Sequence, residues 1–334
     1  DDLEDNDDEL IIGMNRRNKE IFDAYRLNIN TGELTLEAEN PGNITEWVTD
    51  HAGDIRLALT TDGVNQSILY RDNNASPFET VITTNFRETL QPLFFTFDNK
   101  DLYALSNIGR DKAAIVIFDV KNGKEKELLF QHGETDLGGL DYSRKRKVLT
   151  SYSYIDWKRT TIFLDPKAEM IFKRIEAETD GDEVVLASRN KEETRFLVRT
   201  YSDRNLGAYY LYDKISDHLQ LLSEISPWLK KEELAPMKPI SFTSGDGLTV
   251  HGYLTLPIHV SPVNLPAVVN PHGGPWVRDT WGFNPEVQFL ANRGYAVLQV
   301  NYRGSTGYGR KFWEASFKQW GGTMQNDISC ACVR

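Results

Sequence analysis

The sequence predicts a partial β-propeller of about five blades followed by an α/β domain, from two observations. Short runs of β-branched and aromatic residues, separated by Asn, Asp and Gly, recur between residues 10 and 225 without a helical period. Beyond residue 240, an apolar run, a glycine-rich turn, a helical pattern and a second apolar run follow one another within about forty residues. We therefore assign residues 1–225 to the propeller, 226–239 to a connector and 240–334 to the α/β domain.

Regularly spaced strand ends predict the propeller. Five strands end in an aromatic or aliphatic residue before a polar turn, at intervals of 43, 48, 46 and 48 residues. These residues are Leu27, Tyr70, Phe118, Leu164 and Tyr212. A period in the mid forties, with about four strands per unit, is typical of propeller blades. The alternative is an irregular sandwich with fortuitous spacing, and the visible units suggest an incomplete ring.

The α/β domain begins with a hairpin around Gly245-Asp246-Gly247. A helix is predicted from Asn284-Pro285-Glu286, which supply an N-cap, a first-turn proline and a first-turn acid, to a stop at Gly294. Apolar runs at residues 265–269 and 295–300 flank this helix. Strand, helix and strand in this order predict a right-handed parallel crossover.

A glycine-rich turn, Asn270-Pro271-His272-Gly273-Gly274-Pro275, follows the first apolar run. Such a turn leaves backbone N–H groups unblocked by side chains, and these donors can hold the oxyanion of an acyl-transfer intermediate. This is half of a hydrolase active site. The other half is missing from the sequence, because no serine has glycine both two residues before and two residues after it.

Composition restricts the partners. A content of 40% hydrophobic and 26% charged residues is ordinary for a soluble globular protein. The compartment is unknown from the sequence, with the cytoplasm slightly favoured. The net charge of −11 argues against nucleic acid and anionic membrane surfaces as partners. Cys330 and Cys332, the only cysteines, offer no disulfide framework and no metal spacing, so we expect neither metal nor cofactor. The oligomeric state is left open.

Several motifs carry a family resemblance in addition. They occur in a fixed order and are Asp246-Gly247-Leu248, Gly252-Tyr253-Leu254, the turn at 272–275, Arg293-Gly294-Tyr295-Ala296-Val297, residues 301–309 and Trp320-Gly321-Gly322. Together they resemble the prolyl oligopeptidase family of serine peptidases, in its acylaminoacyl-peptidase-like branch. The resemblance covers essentially the whole chain, because that family joins an amino-terminal propeller to a carboxy-terminal α/β-hydrolase domain.

The resemblance implies roles for the turn. The backbone N–H of Gly274 is the expected oxyanion-hole donor, with His272, Gly273 and Pro275 as the supporting loop. The nucleophile, acid and histidine of the family would lie later than any residue of this chain. The match departs after Ile328, so we expect a hydrolase domain truncated before its nucleophile strand, a disrupted terminus at residues 329–334 and a missing native amino terminus.

Single residues admit two interpretations. Ser305 is expected to be a turn serine rather than a nucleophile, and His272 to brace the turn rather than to transfer a proton. Arg303 is a structural or substrate contact, with an ion pair to Asp327 favoured. Four tryptophans can line a pocket or pack between domains, with packing favoured for most of them: Trp276, Trp281, Trp313 and Trp320.

Two functions remain open. The first is a serine-type peptidase that acts on short peptides by acyl-enzyme hydrolysis in its full-length form, with this chain inactive as given. The second is a propeller-based binding protein with a vestigial hydrolase segment. In either case an unpaired apolar strand at 265–269 predicts aggregation of the isolated polypeptide.

Overall fold

The computed structural model describes residues 2–4 and 6–331. The chain divides into two compact units, Asp1–Gly133 and Glu134–Arg334. Over its described residues, the first unit contains three antiparallel sheets of four strands, each in sequence order. The strands are β1 (Asp2–Leu3), β2 (Asn6–Asn18), β3 (Ile21–Asn28), β4 (Leu34–Ala38), β5 (Ile44–Thr49), β6 (Ile55–Thr61), β7 (Asn65–Tyr70), β8 (Glu79–Asn85), β9 (Leu90–Phe95), β10 (Leu102–Ser106), β11 (Ala114–Asp119) and β12 (Lys124–Phe130).

The second unit begins with two more antiparallel sheets and continues with a mixed sheet and helices. The antiparallel strands are β13 (Leu137–Ser143), β14 (Val148–Ile155), β15 (Arg159–Phe163), β16 (Glu183–Arg189), β17 (Arg195–Ser202), β18 (Asn205–Asp213) and β19 (His218–Glu224). The mixed sheet contains β20 (Met237–Thr243), β21 (Thr249–Thr255), β22 (Ala267–Val269) and β23 (Ala296–Asn301). The helices are α1 (Pro166–Glu176), α2 (Pro285–Asn292), α3 (Arg310–Glu314) and α4 (Thr323–Ala331), with a 3-10 turn at Lys231–Glu233.

The predicted repeat agrees with the sheets. Each of the five aligned strand-end residues lies within one residue of the end of the third strand of its antiparallel sheet. Neighbouring sheets bury their faces together, as Leu57 and Ile68 of one sheet do with Leu102 and Val116 of the next. Such sheets need a neighbour to bury their apolar faces, which is the physical basis of a blade repeat. The closure of these sheets into a partial propeller remains a proposal.

Helix α1 was not predicted, and the expectation of no helix between residues 10 and 225 was wrong. The Asp165 side chain caps it by accepting a hydrogen bond from the Ala168 N–H at 3.0 Å, and Pro166 occupies the first turn. Ile175 is fully buried against Val184 and its neighbours on the next sheet. The helix follows the third strand of its sheet, where the other four antiparallel sheets of the described chain have a fourth strand.

The mixed sheet has the order β20-β21-β23-β22, with β22 parallel to β23 and the other pairs antiparallel. The predicted start of α2 is confirmed, because the Asn284 side chain accepts from the N–H groups of Glu286 and Val287. Strand β22 lies at the edge and, among the described residues, pairs only with β23. The predicted connector at 226–239 lies inside the second unit, and its role as a domain boundary remains a prediction.

Candidate active site

The glycine turn and the loop after β23 lie at one edge of the mixed sheet. Parallel strands end at the same edge, so the segments that leave β22 and β23 meet there. The Asn270 N–H extends the strand pairing by donating to the Leu298 carbonyl at 2.8 Å. The turn at 271–275 begins directly after this bond.

Gly274 has the geometry of an available donor. It is exposed, and among the described residues its N–H donates to no protein acceptor. Its φ is 122°, and a Cβ added there would lie 2.9 Å from the backbone nitrogen of Trp276. Only glycine fits such a position without displacing the loop. Gly273 is also exposed, but a Cβ there would meet nothing within 4 Å, and Pro275 is half-buried.

Both nitrogens and one face of the His272 ring contact neighbouring residues. Its Nδ1 lies 2.8 Å from the Gly273 carbonyl and its Nε2 lies 2.8 Å from Ser305 Oγ. The ring stacks on Tyr302 with centroids 4.6 Å apart, and the Tyr302 hydroxyl donates to the His272 carbonyl at 2.9 Å. These contacts favour a bracing role for His272.

Ser305 and His272 resemble a catalytic pair in distance but not in chemistry. Ser305 is fully buried, with 0% exposure, so no substrate carbonyl can reach its hydroxyl. That hydroxyl donates to the Tyr302 carbonyl at 2.7 Å, a bond that competes with donation to His272 Nε2. Nδ1 faces a carbonyl rather than an orienting carboxylate. The geometry therefore favours a turn serine.

Arg303 lies between two carboxylates. Its Nε and Nη2 donate to Asp327 at 2.8 and 2.7 Å, and its Nη1 and Nη2 donate to Asp246 at 2.7 and 3.0 Å. The hydrogen bonds with Asp327 and Asp246 raise the pKa of Arg303, and the bond from Arg303 lowers that of Asp246. All three guanidinium nitrogens are occupied, which favours a structural role over a substrate contact.

The four tryptophans divide into packed and exposed residues. The Trp276 and Trp313 rings lie 5.6 Å apart, and both contact Phe317. The Trp281 ring lies 6.3 Å from that of Trp157, while Trp320 is 75% exposed. Trp276 is itself 50% exposed, so packing accounts for Trp281 and Trp313 and only in part for Trp276.

Two charged residues next to the turn were not identified from the sequence. Asp279 Oδ2 is buried without a hydrogen-bond partner among the described residues, and burial raises the pKa of this carboxyl. Arg278 donates to the carbonyls of Ile155 and Asp156. Their position just after the glycine turn could have marked Arg278 and Asp279 as candidates. The carbonyls that Arg278 binds are more than one hundred residues away in the sequence, so spacing could not reveal them.

The remaining expectations concern metals, cysteines and membranes. Over the described residues no three His, Cys, Asp or Glu side chains gather as metal ligands, and Cys330 is a half-buried free thiol. Cys332 lies outside the described residues. No helix in this part of the chain has the length and apolar character that crossing a membrane requires.

Comparisons with known proteins agree with the fold and the motifs. The prolyl oligopeptidase family profile matches residues 281–333. A relative named dipeptidyl aminopeptidase BIII, from Pseudoxanthomonas mexicana, is 32% identical over 96% of this chain and 47% of its own length. Dipeptidyl peptidase family member 6 of Caenorhabditis elegans is 27% identical over the same shares, 96% and 47%. The chain thus spans about half the length of the curated relatives it matches.

A solved structure gives the same result for the fold. The crystal structure of a puromycin hydrolase superposes with a TM-score of 0.68 at 16% identity, over 94% of this chain and 50% of that protein. Structural similarity at 16% identity supports only the fold, and the assignment to a family rests on the sequence relatives. The chain belongs to the prolyl oligopeptidase family.

Proposed function

We propose that the natural polypeptide carrying this chain is a serine-type peptidase that hydrolyses short peptides through an acyl-enzyme. The observation that carries the proposal is Gly274, an exposed residue in the turn after a strand of the mixed sheet, whose N–H has no protein acceptor among the described residues. A donor of this kind stabilises a developing oxyanion by roughly 3 kcal/mol. His272, Gly273 and Pro275 form the loop that presents it.

Dipeptide release is the first activity to test. Two relatives that match 96% of this chain are named as dipeptidyl peptidases. We propose that the natural protein releases dipeptides from the free amino end of peptide substrates. No metal or cofactor takes part in this proposal.

Residues 1–334 alone are proposed to be inactive. Ser305, the serine that contacts His272, is buried, and its hydroxyl is hydrogen-bonded to the Tyr302 carbonyl. The acylated serine, the acid and the catalytic histidine of the family correspond to none of the residues in this chain. Residues 265–334 therefore supply oxyanion stabilisation, and the acyl chemistry is assigned to residues of the natural protein outside this sequence.

A pair of adjacent glycines provides the test. In the natural protein, G274A would place a methyl group 2.9 Å from the Trp276 nitrogen and displace the donor, whereas G273A has open space. We expect kcat on a fluorogenic dipeptide amide to fall by roughly 10²- to 10³-fold for G274A and by less than about threefold for G273A. A serine-directed phosphonate should abolish the wild-type activity. Equal kcat values for the two variants would refute the oxyanion role, and a wild type without hydrolysis would refute the peptidase.

A further inference from the structure

We propose that Arg278 is a positioning residue, which fixes the Gly274 N–H by anchoring its loop to the hairpin between β14 and β15. This inference rests on the proposed function, because the quantity that Arg278 would set is the geometry of the oxyanion donor. Arg278 lies four residues beyond Gly274 and is half-buried.

The Arg278 guanidinium makes four hydrogen bonds and one ring contact, and the longest bond runs from its Nε to the carbonyl of the adjacent Asp279 at 3.4 Å. Nη1 donates to the Ile155 carbonyl at 3.1 Å, and Nη2 donates to the Asp156 carbonyl at 2.9 Å. Nη2 also donates to the Tyr308 hydroxyl at 2.7 Å, and the guanidinium carbon lies 4.3 Å from the centre of that ring. Two consecutive carbonyls and an aromatic face suit a planar fork of donors, and a lysine ammonium cannot span them in the same way.

The backbone on either side of Gly274 is held by other contacts. On the amino-terminal side, the Tyr302 hydroxyl donates to the His272 carbonyl at 2.9 Å. On the other side, the Thr306 N–H donates to the Val277 carbonyl at 3.1 Å. Gly274 lies between His272 and Val277, and its own backbone makes no hydrogen bond with the described residues. Its N–H direction therefore depends on how firmly the flanking residues are fixed.

The backbone of Asp279, the residue after Arg278, is also held by a side chain. Asn301 Oδ1 accepts from the Asp279 N–H at 2.8 Å, and Asn301 Nδ2 donates both to the Asp279 carbonyl at 3.0 Å and to the Tyr308 hydroxyl at 2.9 Å. The Tyr308 hydroxyl thus joins Arg278 to Asn301. Removal of the guanidinium would leave the carbonyls of Ile155 and Asp156 without this donor and free the segment between Val277 and Asp279 from the hairpin.

The anchor has a consequence for catalysis. Ile155 and Asp156 belong to the part of the chain predicted as propeller, whereas Gly274 belongs to the predicted hydrolase part. A displacement of about 1 Å at a catalytic group can lower the rate by roughly 10²-fold. Because Arg278 is bonded to the β14–β15 hairpin, the position of the oxyanion donor depends on the position of that hairpin.

The test compares R278M and R278K with R293M in the natural protein. The Arg293 guanidinium also lies over an aromatic ring, 3.6 Å from the centre of Phe289, and donates to the Phe289 carbonyl, but Arg293 is exposed at the carboxyl end of α2. We expect R278M and R278K to lower kcat by roughly 10- to 100-fold with KM changed less than about threefold, and R293M to leave both unchanged. Hydrogen exchange at the Asp279 N–H, which is bonded to Asn301, and at the Thr306 N–H, which is bonded to the Val277 carbonyl, should become at least about tenfold faster in R278M and R278K but not in R293M.

Each outcome decides one claim. A wild type that does not hydrolyse peptides refutes the proposed function, while exchange at the Asp279 and Thr306 amides still tests the anchor. A hydrolysing wild type with unchanged kcat and exchange in R278M overturns the inference, as does a loss of kcat without faster exchange. If R278M does not fold, Y308F removes one acceptor and keeps the ring. It should lower kcat severalfold and accelerate the same amides, and a wild-type result from Y308F would then overturn the anchor.

Discussion

Replacement of Asp327 in α4 should destabilise the carboxy-terminal part of the chain far more than replacement of Asp246, although both carboxylates bind one guanidinium. Asp327 is 0% exposed and accepts from Arg303 Nε, Nη2 and backbone N–H, and from Ser244 Oγ at 2.6 Å. The Asp246 side chain is 48% exposed. The two residues therefore form a matched pair that differs in burial.

The expected magnitudes follow from this difference. D327A leaves the Arg303 side chain, which is only 7% exposed, without its buried partner. Loss of one member of a buried ion pair costs about 3–5 kcal/mol. D246A removes a partner that water screens and replaces, so its cost should be about 1 kcal/mol or less. D327N keeps the shape of the side chain and should fall between the two.

Hydrogen exchange in the natural protein measures these costs locally. Each 1.36 kcal/mol corresponds to about a tenfold change in an equilibrium constant. Amides of residues 296–304 and 323–331 should exchange more than about 100-fold faster in D327A and less than about tenfold faster in D246A. Equal acceleration in the two variants would refute the assignment of the stabilisation to the buried side of Arg303.

Three further predictions concern other parts of the second unit. Burial raises the pKa of Tyr253 to about 12, and its hydroxyl donates to the Trp157 carbonyl. The folded state therefore keeps a proton that the unfolded chain loses above pH 10, so the free energy of unfolding should decline between pH 10 and 12 more steeply in wild type than in Y253F. Urea midpoints that fall equally with pH in the two proteins would contradict this. N284A removes the cap of α2 and should cost about 1 kcal/mol, seen as a lower urea midpoint with an unchanged slope, whereas an unchanged midpoint would show that the cap contributes nothing. The isolated polypeptide of residues 1–334 should aggregate through the open edge of β22 and hydrolyse no peptide or ester; a monodisperse species with phosphonate-sensitive turnover would disprove both.

Local signals predicted much of the fold. Strand ends such as Tyr70 and Tyr212 recur because each sheet is one local repeat, and Asn284 marks α2 because capping involves neighbouring residues. The same logic was available at Asp165-Pro166, which start α1, but this pair was interpreted as the polar turn after Leu164. Ile175 is the one fully buried residue of α1. A helix in place of a fourth strand interrupts the repeat of strands.

The candidate site was predictable only where it is local. The glycine turn was visible because Gly273 and Gly274 are adjacent in the sequence. The contact of His272 with Ser305 and that of Arg278 with Ile155 depend on how strands pair, and these residues are far apart in the chain. A sequence without its fold cannot distinguish a buried serine from an available one.

The most direct test of the central claim is labelling of the natural protein with a serine-directed fluorophosphonate, after capture with an antibody against residues 1–225. Intact mass and peptide mapping would then locate the modified serine. We predict a polypeptide heavier than the 38.1 kDa of this chain, labelled at one serine outside residues 1–334. Labelling at Ser305, or an unlabelled protein near 38.1 kDa, would contradict the assignment of this chain to the oxyanion half of a serine peptidase.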